Sequence, residues 1–396
     1  MSSIDADSAI GIDPFGFAQT RLSEPAQAAL GGLREVLERD IHPLLAEAWE
    51  TATMPDAVLQ TLVPLHLMDP DGVDEAEATS SLYSGFRTYV LARTDASVAT
   101  MYNAQSGLFR AIVEQGGSAA QVAELEPRIR SFDLRGVFAL TEPDHGSDIA
   151  GGLATRARRV GEEWVLDGAK RWIGGAITAD VMAVFARDDA DRAVKVFLVP
   201  RDAEGVTIRT ITGKVSLRPM QNAHITLEGV RVPESARLQK INGWRDVAAV
   251  LRMMRSDVAW IAAGLQAGAV EAATRYVRER EQFGRPIAAF QLVQEKLARM
   301  LGNATASLAM AVQLSARQDA GDYRDENSAL AKMQTARLAR ETVALGREVC
   351  GGNGILLSSD VARYFADAEA VYSYEGTHEI NSLIVGRALT GSSAFV

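Results

Sequence analysis

The first third of the chain has the hydrophobic periodicity of amphipathic helices. In residues 24–50 (EPAQAALGGLREVLERDIHPLLAEAWE), apolar side chains recur three and four positions apart, which gives a helix one apolar face. Residues 80–115 form a second helical block with a small-residue centre, which indicates close packing. We therefore predict an N-terminal α-helical domain over residues 1–134.

The pattern changes near residue 135, where short β-branched runs alternate with turn residues. Such runs, bounded by Gly, Pro, Asp and Asn, are typical of strands and turns. The runs are GVFALTEPDHGSD (136–148), GEEWVLDGAKRWIGG (161–175), DVMAVFAR (180–187), VKVFLVP (194–200), VTIRTI (206–211) and AHITLEGVRVP (223–233). They predict a middle domain over residues 135–243 that is an antiparallel β-barrel or β-sandwich.

Helical periodicity returns after the middle domain. Residues 244–281 form one long helical run, and further runs cover residues 288–321 and 326–352. A final short helix follows at the C-terminal end. Helices of this length predict a C-terminal helical bundle domain over residues 244–396. The expected fold class is therefore a multi-domain α+β architecture.

The composition is that of a globular protein with an acidic balance. A chain of 396 residues is too long for one ordinary hydrophobic core. Hydrophobic residues make up 47% and charged residues 23%, which is typical of folded proteins. The net charge of −10 argues against a nucleic-acid partner, which requires a basic face. Local arginines can still bind the phosphates of a nucleotide.

Cysteine usage and hydropathy indicate a cytoplasmic protein. Cys350 is the single cysteine, so no disulfide forms within the chain, as expected in a reducing compartment. The first residues lack the basic and apolar regions of a signal peptide. Residues 258–273 are strongly apolar but contain Gln266 and Glu271, which favours a buried helix over a membrane span.

Several common catalytic motifs are missing from the sequence. The histidines His42, His66, His145, His224 and His378 are scattered without metal-ligand spacing, so we predict no metal site. No Walker phosphate loop and no Gly-x-Ser-x-Gly elbow is present. Residues 351–354 (GGNG) do not follow the Rossmann pattern and are typical of a turn at a helix end.

One carboxylate in an unusual setting raises a functional question. Glu375 lies between Tyr374 and Gly376, directly before a helical run. A lone glutamate at such a place is ordinarily a solvated loop residue. A buried carboxylate, by contrast, has a raised pKa and is a better base. The residue and its neighbours alone leave both interpretations open.

Five segments, in order and at matching spacing, resemble one protein family. They are ALTEPDHGSD (139–148), KRWIGG (170–175), REREQFGRPIAAFQ (278–291), GGNGI (351–355) and YEGTHEINSLIVGRALTG (374–391). Together they look like the acyl-CoA dehydrogenase family, closest to the glutaryl-CoA dehydrogenases and short-chain acyl-CoA oxidases. The resemblance covers essentially the whole chain. It implies a helical domain, a β-domain and a second helical domain.

The resemblance implies an FAD-dependent enzyme that acts on acyl-CoA thioesters. Glu375 occupies the position of the family's base, which removes the α-proton of the substrate while the β-hydrogen leaves as hydride to flavin N5. In the family, backbone N–H groups stabilise the developing enolate charge, and one of them is that of the glutamate itself. Gly376 lets the backbone approach the ligand, and Tyr374 is expected beside the substrate.

The resemblance also implies a set of flavin-binding residues. They are Leu140 and Thr141 at the isoalloxazine ring, Trp172, Ile173 and Gly174 on its other side, Arg280, Phe283 and Gln291, the glycines Gly351, Gly352 and Gly354 at the adenine end, and Thr377 and Glu379 beside the base. Arg280 would bind the pyrophosphate. In the family this arginine, the glutamine and the glycine loop serve the flavin of a neighbouring subunit.

Some of these residues have simpler alternative interpretations. Trp172 fits the core of the β-domain, and Arg280 fits a solvated helix face. Thr377 fits a helix N-cap, which is compatible with a flavin contact. For the CoA moiety, Ser147 resembles a family serine near the pantetheine and pyrophosphate. Arg255 matches an arginine near the base and thioester, but it also fits a structural ion pair with Asp257 or another acid.

Two departures from the family pattern limit the functional prediction. Glutaryl-CoA dehydrogenases carry an arginine for the distal carboxylate of the substrate, seven residues before a Gln-Ser pair. Here that position falls on Val98 or Ala99, and the nearest arginine is Arg93. An unpaired buried carboxylate is strongly unfavourable, so we expect an uncharged short or branched acyl chain. Gly174 stands where most of the family has Thr or Ser. The short-chain oxidases resemble this chain in having the sequence Trp-Ile-Gly there.

Four functions remain open at this stage. The favoured one is an FAD-dependent acyl-CoA dehydrogenase, with an electron-transferring flavoprotein as acceptor. An acyl-CoA oxidase would use O2 instead, and glutaryl-CoA remains an alternative substrate. A redox-silent acyl-CoA-binding protein and a flavin monooxygenase are less compatible with Glu375. In the family a neighbouring subunit completes the flavin site, and the resemblance implies a homotetramer that is a dimer of dimers.

Overall fold

The chain forms two compact units, neither of which is a continuous stretch of sequence. The computed structural model describes residues 8–393. The first unit contains residues 8–100, 215–219 and 255–393, and the second contains residues 101–214 and 220–254. The three sequence ranges predicted above as domains stay a prediction, and their outermost residues, 1–7 and 394–396, lie outside the described part.

Helices make up the N-terminal part of the described chain. In order they are α1 (Phe17–Arg21), α2 (Glu24–Val36), α3 (Leu45–Thr51), α4 (Asp56–Leu62), α5 (Glu75–Ala78), α6 (Ser81–Thr94), α7 (Ala96–Asn103), α8 (Arg110–Gly116) and α9 (Ala119–Arg130). The amphipathic run over residues 24–50 is interrupted between α2 and α3, where Pro43 lies in a short 3-10 turn. The second helical block breaks at Asp95, whose carboxylate accepts a hydrogen bond from the Ser97 N–H at 2.8 Å.

The middle of the chain forms one curled sheet of seven strands in the second unit. The strands are β1 (Gly136–Ala139), β2 (Arg156–Val160), β3 (Glu163–Gly174), β4 (Val181–Asp188), β5 (Val194–Pro200), β6 (Val206–Thr210) and β7 (Asn222–Pro233), with the short helix α10 (Ile149–Gly152) before β2. Their order is β1-β4-β2-β3-β7-β6, and β5 pairs with β4.

The sheet is mixed, not wholly antiparallel as predicted. Strand β4 runs parallel to both β1 and β2, while the pairs β2–β3, β3–β7, β4–β5 and β6–β7 are antiparallel. Local residue patterns indicate a strand but not the direction of its partner, because that direction depends on distant parts of the chain.

Long helices return in the C-terminal part. They are α11 (Trp244–Glu279), α12 (Gln291–Asp319), α13 (Asp325–Val349), α14 (Val361–Ser373) and α15 (His378–Thr390), and a small hairpin of β8 (Glu281–Gln282) and β9 (Arg285–Pro286) lies between α11 and α12. Helix α13 contacts α12, α14 and α15.

Small residues let two helices of the first unit approach closely. A Cβ placed on Gly264 of α11 would lie 2.3 Å from the carbonyl oxygen of Tyr89 in α6. A Cβ on Gly268 would lie 2.1 Å from the carbonyl oxygen of Arg93. Only glycine permits this contact between α11 and the backbone of α6. The apolar run around these glycines is therefore a buried helix, as its polar residues predicted.

Among the described residues, none of the helices combines the length and the apolarity that a bilayer crossing requires.

Candidate active site

Glu375 lies in a tight turn between two helices of the first unit. Helix α14 ends at Ser373 and α15 begins at His378. The backbone of Glu375 has φ 52°, and that of Gly376 has φ 86°. A left-handed conformation is unremarkable for glycine but costs roughly 1–2 kcal/mol for another residue. Such strain persists only where surrounding contacts enforce it, and it is enriched at functional sites.

Two side chains hold this turn through its backbone carbonyls. The Lys332 ammonium donates hydrogen bonds to the carbonyl oxygens of Tyr372 and Gly376, each at 2.8 Å. The Asn381 amide donates to the Gly376 carbonyl at 2.8 Å and to the Thr377 carbonyl at 3.0 Å. The Tyr372 and Gly376 carbonyls lie on either side of Glu375, so the turn is restrained at both ends.

Lys332 is a feature that the sequence analysis missed. Its side chain is fully buried on α13. It follows Ala329 by three positions and precedes Thr335 and Ala336 by three and four, and all of these residues are buried. A lysine in register with an apolar helix face was the available signal, because a buried lysine needs hydrogen-bond acceptors or a counter-charge.

The charge of Glu375 is set by opposing effects. Glu375 is half-buried, and this burial raises the pKa of its carboxyl, while the positive charges of Arg255 and Lys332 act to lower it. Burial lowers the pKa of Lys332 to about 8, against the raising effect of Glu375 and Glu379. A carboxylate with a raised pKa, close to two cations, has the properties of a general base at neutral pH.

Arg255 forms an ion pair, which is one of the two interpretations given above, while its contact with a thioester stays a prediction. Its guanidinium pairs with Asp325, at the start of α13, with a distance of 3.0 Å. It is also the stronger of the two cations that lower the pKa of Glu375. Burial raises the pKa of Tyr374 well above its usual range, so its phenol stays protonated at neutral pH beside the carboxylate.

Residues after the turn have visible local roles. The Thr377 hydroxyl caps α15 by accepting a hydrogen bond from the Ile380 N–H at 3.3 Å, which is the N-cap role considered above. Glu379 is exposed, and its own backbone N–H and the Thr377 hydroxyl lower the pKa of its carboxyl. A flavin contact by these two residues stays a prediction.

A second group of candidate residues lies together in the second unit. The buried Lys170 ammonium pairs with the Glu142 carboxylate at 2.8 Å and donates to the Leu140 carbonyl at 3.2 Å. The Arg171 N–H donates to the Thr141 carbonyl at 2.8 Å. These bonds fix the segment that follows β1 against β3. Burial lowers the pKa of Lys170 to about 8, although Glu142 opposes this.

Trp172 does not belong to the core of the sheet. Its side chain is 49% exposed, its backbone has φ 65°, and the Arg171 guanidinium lies 4.9 Å from its ring centroid. The neighbouring Ile173 is buried. At Gly174, a Cβ would lie 2.4 Å from the Met220 Cε. An exposed indole on a strained backbone suits stacking against an aromatic ligand.

Three further predicted residues are exposed, two in loops and one at the start of a helix. Ser147 is exposed and precedes α10 in the second unit. In the first unit, Arg280 is exposed, and its guanidinium has no hydrogen bond or ion pair among the described residues. Gln291 is also exposed, at the first position of α12. A free guanidinium on the surface suits a phosphate group.

The loop of the small hairpin has an unusual exposed side chain. Phe283 and Gly284 join β8 to β9, and both have positive φ, 54° and 76°. This is the backbone of a type I′ hairpin turn. It leaves the Phe283 side chain 93% exposed. Gly351 and Gly352 are likewise exposed, in the 3-10 turn after α13, whereas Gly354 is buried against the Arg347 carbonyl.

Comparisons with known proteins agree on one family. Residues 137–230 match the family model described as "Acyl-CoA dehydrogenase, middle domain", and residues 242–390 match "Acyl-CoA dehydrogenase, C-terminal domain". A 3-(aryl)acrylate reductase of Clostridium sporogenes is 30% identical, over 90% of this chain and 96% of that protein. The mitochondrial short-chain specific acyl-CoA dehydrogenase of Mus musculus is 28% identical, over 95% and 92%.

Solved structures give the same result. A glutaryl-CoA dehydrogenase from Mycobacterium smegmatis has 33% identity and a TM-score of 0.88, covering 99% of this chain and all of that chain. A glutaryl-CoA dehydrogenase structure from the same organism, in complex with FADH2, has 31% identity, a TM-score of 0.90 and the same coverage. The predicted family, fold class, enzyme class and FAD cofactor are confirmed. The chain is a member of the acyl-CoA dehydrogenase family and an FAD-dependent oxidoreductase.

Proposed function

We propose that the protein converts an uncharged short or branched acyl-CoA into its trans-2-enoyl-CoA. Glu375 removes the α-proton of the thioester, the electron pair of that bond forms the double bond, and the β-hydrogen leaves with its electrons. FAD, when bound, accepts that hydrogen as a hydride. The observation that carries this proposal is the position of Glu375, a carboxylate with a raised pKa on a restrained turn.

The turn suits a second task of the chain, stabilisation of the enolate. A backbone N–H at fixed orientation stabilises developing negative charge without reorganisation. The N–H of Glu375 belongs to the segment that Lys332 and Asn381 restrain. We assign to this N–H the thioester carbonyl oxygen, and to Gly376 and Tyr374 the neighbouring contacts with the substrate. Arg255 and Ser147 are assigned to the base and to CoA, respectively.

Cofactor binding is assigned to the exposed groups described above. Leu140, Thr141, Trp172, Ile173 and Gly174 are assigned to the isoalloxazine ring. The free Arg280 guanidinium supports a pyrophosphate contact, and the exposed Phe283, Gln291 and glycine turn support a flavin shared with a neighbouring subunit. Thr377 and Glu379 are assigned to the part of the flavin site beside Glu375. Such sharing requires at least a dimer, and we propose the homotetramer that the family resemblance implies.

The arginines of helix α6 support an uncharged acyl chain. Arg93 binds Glu271 and Glu38, with N–O distances of 2.7 and 2.8 Å. Arg87 is buried and donates to the Leu67 carbonyl at 3.0 Å. Val98 and Ala99, where a glutarate-binding arginine is expected, are fully buried apolar residues. Binding a distal carboxylate would require one of these arginines to leave its partners.

Gly174 favours a second candidate, an acyl-CoA oxidase. The usual family hydroxyl at this position is absent, and Met220 fills the space beside the glycine. Loss of a hydrogen-bond donor near the flavin changes how its reduced form reacts with O2. The favoured acceptor remains an electron-transferring flavoprotein.

The single buried cysteine supports a reducing compartment such as the cytoplasm.

An anaerobic titration with butyryl-, isobutyryl- and glutaryl-CoA tests the proposed function. The flavin absorbance should bleach with an uncharged acyl-CoA. Glu375→Gln should slow bleaching on the order of a hundredfold to ten-thousandfold, because the base is lost. Glu369→Gln is the matched control: it removes an exposed carboxylate of α14 that pairs with Arg340, and bleaching should stay at the wild-type rate.

Three outcomes would change the assignment. Bleaching by glutaryl-CoA alone would contradict the uncharged chain. Fast recolouring on admitting air, with peroxide formed, would identify an oxidase, whereas slow recolouring supports the dehydrogenase. Absence of bleaching with every thioester in the wild-type protein would contradict the proposed reaction.

A further inference from the structure

We propose that Lys332 is a positioning residue for the base, which it serves by holding the strained turn around Glu375 and by supplying a buried positive charge. This inference rests on the proposed function, because it takes Glu375 as the base. It adds to that function a residue remote in sequence whose task is to keep the carboxylate both oriented and ionised.

The geometry of the hydrogen bonds carries the first half of the inference. Lys332 is 0% exposed and lies on the buried face of α13. Its ammonium donates to two carbonyls, those of Tyr372 and Gly376, which lie three residues before and one residue after Glu375. One cation thus joins the end of α14 to the turn. A buried ammonium is unfavourable unless its donors are used, so these bonds are strongly maintained.

Asn381 offers an internal comparison. Its amide donates to the same Gly376 carbonyl, at 2.8 Å, but carries no charge. The turn therefore has a neutral restraint from α15 and a charged restraint from α13. Both restraints support the left-handed backbone of Glu375, and only one of them affects its ionisation.

The surrounding charges carry the second half. The charged and titratable groups that act on Glu375, Lys332 and Tyr374 come from all of the helices around the turn: Arg255 and Asp257 from α11, Lys332 from α13, Asp367 from α14 and Glu379 from α15. Arg255 shares its charge with Asp325. Lys332 has no ion pair within 4.0 Å among the described residues, so its charge is available to Glu375 through space.

Four variants separate holding the turn from supplying charge. Lys332→Met removes both effects, and Lys332→Gln removes the charge while keeping a hydrogen-bond donor. Asn381→Ala removes only the neutral restraint. Lys296→Met is the matched control, since it removes a lysine from α12 that pairs with Glu348 away from this turn. Each is studied as the FAD-loaded protein, by anaerobic flavin reduction over a range of pH and by amide hydrogen exchange of residues 371–381.

We expect Lys332→Met to lower the rate of flavin reduction about tenfold to a hundredfold. It should also move the acid limb of the pH–rate profile upward by roughly one unit and speed amide exchange in the turn. Lys332→Gln should move the acid limb with a smaller effect on exchange. Asn381→Ala should speed exchange without moving the acid limb. Lys296→Met should match the wild type.

The results that would overturn the inference are distinct from failure of the proposed function. A wild-type protein that bleaches, with Lys332→Met and Lys332→Gln unchanged in pH profile and exchange, overturns the inference alone. If Lys332→Met does not fold, an unshifted acid limb in Lys332→Gln overturns it. If the wild type does not bleach, the proposed function fails, and unchanged exchange in Lys332→Met then overturns the role in holding the turn.

Discussion

At the scale of single residues, the site depends on how one carboxylate is charged. Burial makes Glu375 harder to ionise, and two cations make it easier. Neither effect alone suits a base. A carboxylate on the surface is too weak to remove an α-proton, whereas an isolated buried one stays protonated at neutral pH. The combination suits the general base that we propose, because burial favours uptake of a proton while the two cations favour the ionised form.

The pH dependence of flavin reduction follows from this balance. The pKa of Glu375 is raised from 4.5, so the carboxyl gains its proton at a higher pH than an exposed glutamate. As pH falls through that raised value, the rate of reduction should fall in proportion to the ionised fraction. Stopped-flow reduction by saturating acyl-CoA, from about pH 5 to about pH 9, measures this limb.

The control for this profile is Glu369→Gln, which alters an exposed carboxylate of α14. Its acid limb should coincide with that of the wild type. A rate that does not fall between pH 9 and pH 5, as expected for a carboxyl with the ordinary glutamate pKa of 4.5, would show that burial does not raise the pKa of the reacting group.

The proposed base can be recognised in the sequence, but the residue that restrains its turn cannot. Glu375 was recognisable because its neighbours resemble a family motif. Lys332 was not, because its partners are backbone carbonyls 40 and 44 positions away along the chain, and any residue type can supply a backbone carbonyl. Arg255 was a candidate because of the same resemblance, and its pairing with Asp325, which is distant in sequence, depends on helix packing.

At the scale of elements, a buried ion pair joins β3 to the segment that follows β1. Lys170 and Glu142 are both almost fully buried and lie 2.8 Å apart. The Glu142 carboxylate also accepts from the N–H groups of Ala154 and Thr155, at 2.7 and 2.9 Å. Each charge is thus satisfied by the other and by backbone groups, which is the condition for a stable buried pair.

Removal of one partner should therefore be strongly destabilising. Lys170→Met leaves the Glu142 carboxylate buried without its cation, and we expect a loss of about 3–5 kcal/mol in the free energy of unfolding. Urea unfolding followed by circular dichroism measures it. The double variant Lys170→Met, Glu142→Leu should lose less, because no charge is then left unpaired.

The matched control is Arg156→Met, which breaks a solvent-exposed ion pair with Asp189 in the same sheet. Its cost should be far smaller than that of Lys170→Met, because water screens an exposed ion pair. Equal destabilisation by Lys170→Met and Arg156→Met would show that burial of the first pair has no energetic consequence.

Strands with several buried apolar residues could be predicted from the sequence, whereas a strand made mostly of exposed polar residues could not. The predicted runs all correspond to strands, but β2 was missed because RARRV has four exposed residues and only Ala157 is buried. Its place between β4 and β3 comes from backbone pairing. The parallel pairings of β4 escaped prediction for a similar reason, since strand direction is decided by long connections.

At the scale of the whole molecule, the proposed assembly has candidate contact residues among the exposed apolar side chains. Phe283 at the hairpin, Leu292 in the first turn of α12 and Ile355 after α13 are 93%, 78% and 70% exposed. Exposed apolar side chains mark a binding surface where they form a continuous patch, and we propose that these three lie at the subunit interface. They lie close in sequence to Arg280, Gln291 and Gly351, which are assigned to a shared flavin.

If the flavin is shared, loss of the oligomer should cause loss of FAD, whereas loss of FAD should leave the oligomer intact. Phe283→Ser should shift the oligomer towards smaller species on dilution and release FAD at the same time. Arg280→Met should release FAD with the oligomer intact, with roughly tenfold to a hundredfold weaker binding, because a hydrogen bond to a charged group is lost. Light scattering and flavin fluorescence measure the two properties.

Phe15→Ser is the control, since Phe15 is 71% exposed in the N-terminal part, away from the hairpin in sequence. Its oligomer and FAD content should match the wild type. Dissociation of the Phe283→Ser protein with full retention of FAD would contradict a flavin shared between subunits.

The fold class was predictable from the texture of the sequence, but the division into two units was not. Hydrophobic periodicity reports only local structure. The first unit, however, combines residues 8–100 and 255–393 and also includes residues 215–219 from the middle of the chain. That short segment is held by its backbone: the Leu217 N–H donates to the Asp367 carboxylate at 2.6 Å. No residue pattern marks such an excursion.

This connectivity also sets an order of events during synthesis. Helix α6 packs against α12 and lies on α11 through Gly264 and Gly268, so the partners of the first hundred residues are made last. Domains whose contacts are sequential fold as they leave the ribosome. Here the apolar face of α6 stays uncovered until α11 and α12 have been made, when about two-thirds of the chain or more has been translated. We therefore expect the nascent N-terminal segment to need protection from aggregation during synthesis, although its apolar surface is buried in the folded protein.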